Sequence, residues 1–195
     1  MFKDPILNNL VKKYGAPDNL KDRSEFLYEE LVESIIGQQL SGKAADTIFK
    51  RFLALYKDSK FPRPEELLKT DTEKLRSAGM SYSKAGYIKN IAQAFKDKEL
   101  DINKLKKMSD EEIIKELTKI KGVGNWTAEM TLIFTLKRED VFSLGDAGLR
   151  RAIKNLYKIE KEKEILTLAE KWKPNRSLAC WYLWRSLDNE PLPND

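Results

Sequence analysis

The stretch LTKIKGVGNWTAEMTLIFTLKREDVFSLGDAGLRRAI, residues 117–153, decides how this chain is read. It opens on the end of an amphipathic helix near Ile120, turns through Gly122, Val123 and Gly124, and starts a second helix at about Asn125. Two glycines around one apolar residue allow a tight turn with outward amides, because glycine has no side chain to block a close ligand. Those amides sit beside the amino end of the next helix, where unpaired N–H groups and the helix dipole favour a phosphate. Lys119 and Lys121 flank the turn and can neutralise neighbouring phosphates. Further along, Asp146 follows Gly145 and precedes another helical pattern. The stretch therefore reads as a phosphate anchor followed by a reactive carboxylate.

Working outward, residues 1–23 read as an irregular arm with a short helix around 5–14, broken by Gly15 and Pro17. Ser24 can cap a helix reaching about Ile36, with Leu27, Leu31 and Ile35 on one face. Gly37 ends it, Gln38, Gln39 and Leu40 make a tight connection, and Ser41 caps the next helix. There Ala45, Ile48, Phe49, Phe52 and Tyr56 recur at helical spacing, which predicts a core element. Short helices follow at Pro64 and after Thr70 or Asp71, the latter stopping at Gly79. A longer one starts at Ser81 or Ser83 and runs through Phe95. Ser109 and Glu112 form a capping box for the helix that carries Ile113, Leu117 and Ile120. Beyond Gly124, Ala128, Leu132 and either Phe134 or Thr135 face inward. Three more helices are predicted, at about 146–157, 160–171 and 174–187. No alternating segment flanked by hairpin signals occurs, so the fold class is all-α.

Composition narrows the chemistry. The 195 residues suffice for one good core or two small ones, and 41% apolar with 34% charged residues describes a folded, globular chain. No apolar run is long enough for a membrane span, and the start, MFKDPILNNL, lacks a signal-peptide core. The expected location is the cytoplasm (nucleoid-associated) or the nucleus, without secretion. There is one cysteine, Cys180, and no histidine. An internal disulfide, a four-cysteine zinc site, an iron–sulfur cluster and any His-activated nucleophile are thereby excluded. Carboxylates, lysines, aromatics or backbone must do the work. A net charge of +5 suits a polyanionic partner, though weakly.

Each motif has a plainer explanation. The hairpin could be an ordinary helical corner, but a corner needs one glycine and this one has two. Asp146 alone could be only a helix N-cap, a role compatible with catalysis. The hairpin resembles the helix-hairpin-helix DNA-binding motif. Together with Val141-Phe142-Ser143-Leu144-Gly145-Asp146 it resembles the helix-hairpin-helix DNA glycosylase superfamily, in which the catalytic aspartate lies at this distance past the hairpin. LVESIIGQQLSGKAADTIFKRF, residues 31–52, is similar to the Gln-Gln-x-Ser segment of the 3-methyladenine DNA glycosylase II (AlkA-type) branch, and WKPNRSLACWYLW, residues 172–184, resembles its Trp-x-Pro-x-Arg-Ser ending. The amino-terminal sheet domain of some bacterial members has no counterpart, so the chain looks like the short form.

This resemblance implies a two-lobed HhH-GPD fold with the active-site cleft between lobes. A central bundle would span 26–140, with the hairpin motif at about 109–135, and a second lobe 1–25 plus 141–195. It implies Asp146 as catalytic residue and Trp126, Met130 and Trp184 at the base pocket. Met130 stands where the family usually has tyrosine, which leaves base selectivity open. Lys119, Lys121, Gly122, Val123, Gly124 and Thr127 would bind phosphate, helped by a structural Na+ or K+ at the carbonyls of Ile120 and Gly122. Gln38, Gln39 and Leu40 would form the wedge entering the minor groove, Gln39 aligning best. Arg176 and Ser177 would brace the last helix. The lysine runs at 104–107 and 158–163 read as solvated faces.

Strand-cutting members carry a lysine nucleophile where this chain has Trp126, so a monofunctional hydrolase is implied. The expected substrate is double-stranded DNA with alkylated bases, 3-methyladenine first, then 7-methylguanine or other modified purines. A monomer is expected. The alternatives are a non-catalytic DNA-binding module and an oxidised-base glycosylase/lyase.

Overall fold

Capping chemistry written into the chain sets the helix boundaries. The computed structural model describes residues 2–17 and 20–187, and among these there are twelve α-helices and no strand. They are α1 (Pro5–Tyr14), α2 (Leu27–Gly37), α3 (Gly42–Leu53), α4 (Pro64–Lys69), α5 (Thr72–Ser77), α6 (Tyr82–Lys96), α7 (Ile102–Leu105), α8 (Asp110–Leu117), α9 (Asn125–Met130), α10 (Ala147–Tyr157), α11 (Glu162–Glu170) and α12 (Arg176–Leu187). Ser109 and Glu112 close the capping box of α8 reciprocally, and Ser81 accepts the Lys84 N–H to start α6. Ser41 occupies the N-cap position of α3, but its hydroxyl makes no capping bond.

The chain divides into two units, Arg23–Thr131 and Met1–Asp22 with Leu132–Asp195. These limits differ from the predicted 26–140 and 1–25 plus 141–195, whose last residues, 188–195, lie outside the described ones. The later boundary falls where α9 runs into a π-helical turn, Thr131–Thr135. The wider turn brings Thr131, Leu132, Ile133 and Thr135 inward together and sends Phe134 against Trp184, 5.5 Å between ring centroids.

In the Arg23–Thr131 unit, α6 packs on α2, α4 and α5 around Leu31, Ile35, Leu67, Leu75, Ile88 and Ile91. The prediction for α3 was too generous. It packs on α2, but only Phe52 is fully buried, while Ile48 and Phe49 are half-covered. Helix α7 was not predicted, because a single turn is too short to show periodicity.

In the other unit, α1 and α10 pack on α12, whose Ala179, Cys180, Trp181, Tyr182 and Leu183 are all buried. The buried Asp4 ties the amino-terminal arm down: it accepts the N–H groups of Ile6 and Leu7, the Tyr157 hydroxyl and the Trp172 indole, the last two at 2.9 Å. Burial, then this bond to Asp4, pushes the Tyr157 phenol above its usual range. Burial likewise pushes the Cys180 thiol far up, leaving it inert as a nucleophile.

Candidate active site and nucleic-acid interface

The two hairpin glycines answer to different demands. Gly122 has φ +111°, and a Cβ there would stand 2.3 Å from the Tyr87 ring, so the fold itself requires glycine. Gly124 has φ −93° and ψ 173°, a conformation open to any residue, and nothing lies within 4 Å of a Cβ built on it. The fold makes no demand for glycine at 124. Val123 is buried and donates its N–H to the Ile120 carbonyl at 3.0 Å, closing the turn. Asn90 donates its amide to the Lys121 carbonyl at 2.9 Å.

The predicted phosphate ligands separate on inspection. Lys121 is exposed. Lys119 is exposed too, but its ammonium contacts both Glu116 oxygens at 2.7 Å and holds that carboxyl below its usual range. Thr127 is held from within: the residue is 2% exposed, and its hydroxyl accepts the Gln38 amide at 3.1 Å.

Trp126, by contrast, is 42% exposed, which no core tryptophan would be, and Met130 is half-buried on the same helix. The 38–40 loop also resolves into parts. Gln38 is held within the fold, its amide donating to Thr127 and its carbonyl accepting the Lys84 ammonium at 2.6 Å. Gln39 has φ +58°, and it and Leu40 are exposed.

In the second unit, a turn closed by the Asp146 N–H and the Ser143 carbonyl delivers Asp146 to the head of α10. The residue is buried, 8% exposed. Oδ1 accepts the Leu149 N–H at 2.7 Å and the Trp184 indole N–H at 2.9 Å. A residue thirty-eight positions later thus shares the N-cap bond, because α10 packs on α12. Gly148 makes this possible: a Cβ there would come within 3.1 Å of Asp146 Oδ1 and 3.2 Å of Trp184.

The approach to this turn is clamped. Arg176 donates Nε and Nη2 to the Asp140 carboxylate at 2.8 and 3.0 Å and Nη2 also to the Asp140 carbonyl. Ser177 donates to the Arg138 carbonyl at 2.6 Å and accepts the Val141 N–H at 3.0 Å. Both residues brace α12, as the sequence suggests.

Lys84 and Gly148 have no signal in the sequence, and Phe134 is read there only as an alternative to Thr135 on the inward face. Each acts through a partner that only packing supplies. A cavity of about 790 Å³ lined by Tyr56, Phe61, Arg63 and Lys69 holds none of the predicted site residues. Among the described residues no cluster of carboxylate or thiol side chains could hold a metal ion, and no helix is long and apolar enough to cross a membrane.

A family described as HhH-GPD superfamily base excision DNA repair protein matches residues 32–175, close to three quarters of the chain and including the 38–40 loop, the hairpin and Asp146. The chain belongs to the HhH-GPD superfamily. This HhH-GPD protein is 38% identical over 189 residues to DNA-3-methyladenine glycosylase 1 of Schizosaccharomyces pombe, covering 94% of this chain and 82% of that one. Its structure resembles that of an S. pombe 3-methyladenine DNA glycosylase in complex with abasic DNA, with a TM-score of 0.87, 35% identity and coverage of 98% and 96%. It is also similar to a DNA-3-methyladenine glycosidase from Bacillus halodurans, with a TM-score of 0.76, 33% identity and coverage of 96% and 91%.

Proposed function

We propose that this HhH-GPD protein is a monofunctional DNA glycosylase that hydrolyses the N-glycosidic bond of alkylated bases, 3-methyladenine foremost, in double-stranded DNA. The observation that carries the reading is the Asp146 carboxylate, nearly buried and fixed by the Trp184 indole and the Leu149 amide. The Leu149 bond also caps α10, and that role is compatible with the chemistry.

A 3-methylated adenine or 7-methylated guanine is cationic in the nucleoside and leaves with the bonding electron pair as a neutral base, so no general acid is needed. The sugar becomes oxocarbenium-like, and a fixed anion stabilises it. Asp146 supplies that anion and orients or deprotonates the water that adds to the sugar carbon, leaving an abasic site. The exposed Trp126 offers a stacking face to the electron-poor base. No amine stands at that position to form an imine, which argues against strand cleavage.

Gly124, Lys121 and the hairpin amides hold a backbone phosphate, and Gln39 with Leu40 fills the gap of the extruded nucleotide. A monovalent cation fits the hairpin carbonyls: neutral oxygens without a carboxylate suit single charge, and the Ile120 carbonyl uses one lone pair on Val123 and keeps the other. Bound there, the ion would add positive charge facing the phosphate. We further propose that the enzyme works as a monomer, in the nucleoid or nucleus.

The test is base release from oligonucleotides carrying methylated, deaminated, oxidised or unmodified bases, with borohydride present in a parallel set. Release of methylated purines without a trapped protein–DNA adduct is expected. Release confined to oxidised bases together with a trapped adduct would sink the proposal.

A further inference from the structure

The carboxyl end of a helix leaves carbonyls without N–H partners, and α2 ends at the 38–40 loop. The Gln38 N–H bonds the Ser34 carbonyl and the Leu40 N–H the Gly37 carbonyl. The carbonyls of Ile36 and Gln38 are instead taken by one group from another helix, the Lys84 ammonium of α6, at 2.8 and 2.6 Å. A cation there also complements the helix dipole. Among the described residues no carboxylate pairs with Lys84, and burial holds its pKa below the usual lysine value. The Gln38 side chain is held separately, by Thr127 of α9 at 3.1 Å.

Gln38 is therefore gripped twice, at its carbonyl from α6 and at its amide from the hairpin helix. The next residue, Gln39, is in the left-handed region at φ +58°, which turns the chain out of α2 directly after its cap. Gln39 and Leu40 then project to solvent.

We infer that Lys84 and Thr127 are positioning residues that pin Gln38 so that Gln39 and Leu40 are presented as a preformed wedge, fixed to the hairpin as one piece. The inference rests on the reading that the loop enters DNA. Neither residue touches the substrate. A loop already in its inserted shape loses less conformational freedom on binding, and small misplacement of such a group costs rate steeply.

The experiment uses Lys84→Met, the near-isosteric Thr127→Val, and the loop variant Gln39→Ala/Leu40→Ala. Fluorescence of 2-aminopurine placed beside a methylated base reports extrusion, single-turnover assay reports release, and titration with undamaged duplex reports the grip. Lys84→Met and Thr127→Val should each lower extrusion and release about tenfold while changing duplex affinity by less than about threefold. Lys84→Arg, whose guanidinium can serve both carbonyls, should recover most of the loss. Adding Lys84→Met to the loop variant should cause little further loss, since both act through the same side chains.

Losses that simply add would mean that Lys84 acts elsewhere. Unchanged extrusion in Lys84→Met or Thr127→Val, with the loop variant impaired, would overturn the positioning role and leave the wedge intact. Should the loop variant itself extrude and release normally, the wedge reading and this inference fall together. If Lys84→Met melts below the assay temperature, the Thr127→Val and Lys84→Arg pair decides.

Discussion

The hairpin around Gly122–Gly124 and the turn that delivers Asp146 are both helix starts preceded by glycine, and they are built on opposite plans. At the hairpin the bonds are made by the Val123 backbone N–H and, from outside, by Asn90 to the Lys121 carbonyl, and the face at Gly124 and Trp126 is left toward solvent. At Asp146 the functional atom is itself inside the bonding scheme, held by Leu149 and Trp184 and crowded by Gly148. The difference teaches how the work is divided. A grip on a regular backbone needs room and donors, whereas stabilising a developing cation needs an anion that does not reorganise during the reaction.

The largest expected effect tests the fixed side of this contrast. Asp146→Asn should reduce single-turnover release by about a thousandfold, the scale of losing a preorganised electrostatic group, while leaving duplex affinity nearly unchanged. Unchanged release would remove Asp146 from the chemistry. Next comes Gly122→Ala, which forces a side chain into φ +111° and into the Tyr87 ring. We expect a loss of about 3 kcal/mol in stability, visible as a lower Tm and altered denaturant midpoint.

Trp184→Phe keeps the ring against Phe134 and deletes the N–H to Asp146, so release should slow by about tenfold, the usual value of a hydrogen bond to a charged group. The smallest effect on stability is expected at Gly124. Gly124→Phe should cost about 1 kcal/mol or less, yet weaken binding to every duplex and flatten its salt dependence. If it instead destabilised like Gly122→Ala, the distinction between the two glycines would collapse.

Legibility in the sequence followed the range of the forces involved. Local signals were readable: the Ser109–Glu112 capping box, the proline that opens α4, the Gly-x-Gly turn and the aspartate that heads α10 all concern a few neighbouring residues. The all-α class and the HhH-GPD family followed from such signals and from segment resemblance. Helix periodicity gave inward faces well for α2 and α6 but overstated α3, because periodicity says which face is apolar and not how much of it a neighbour covers.

What the tertiary structure alone decided is the assignment of tasks among look-alike residues. Nothing in the chain order separates Gly122 from Gly124, a distinction made by Tyr87, and only the fold shows Gln38 held by Lys84 and Thr127 while Gln39, the better-aligned wedge residue, is exposed. Nor does it join Trp184 to Asp146, or bring the Thr127 hydroxyl to the Gln38 amide. Sequence fixes what each residue can donate, accept or exclude. Which of those capacities is used depends on neighbours brought close by packing, often dozens of positions away, and that proximity is a property of the folded chain alone.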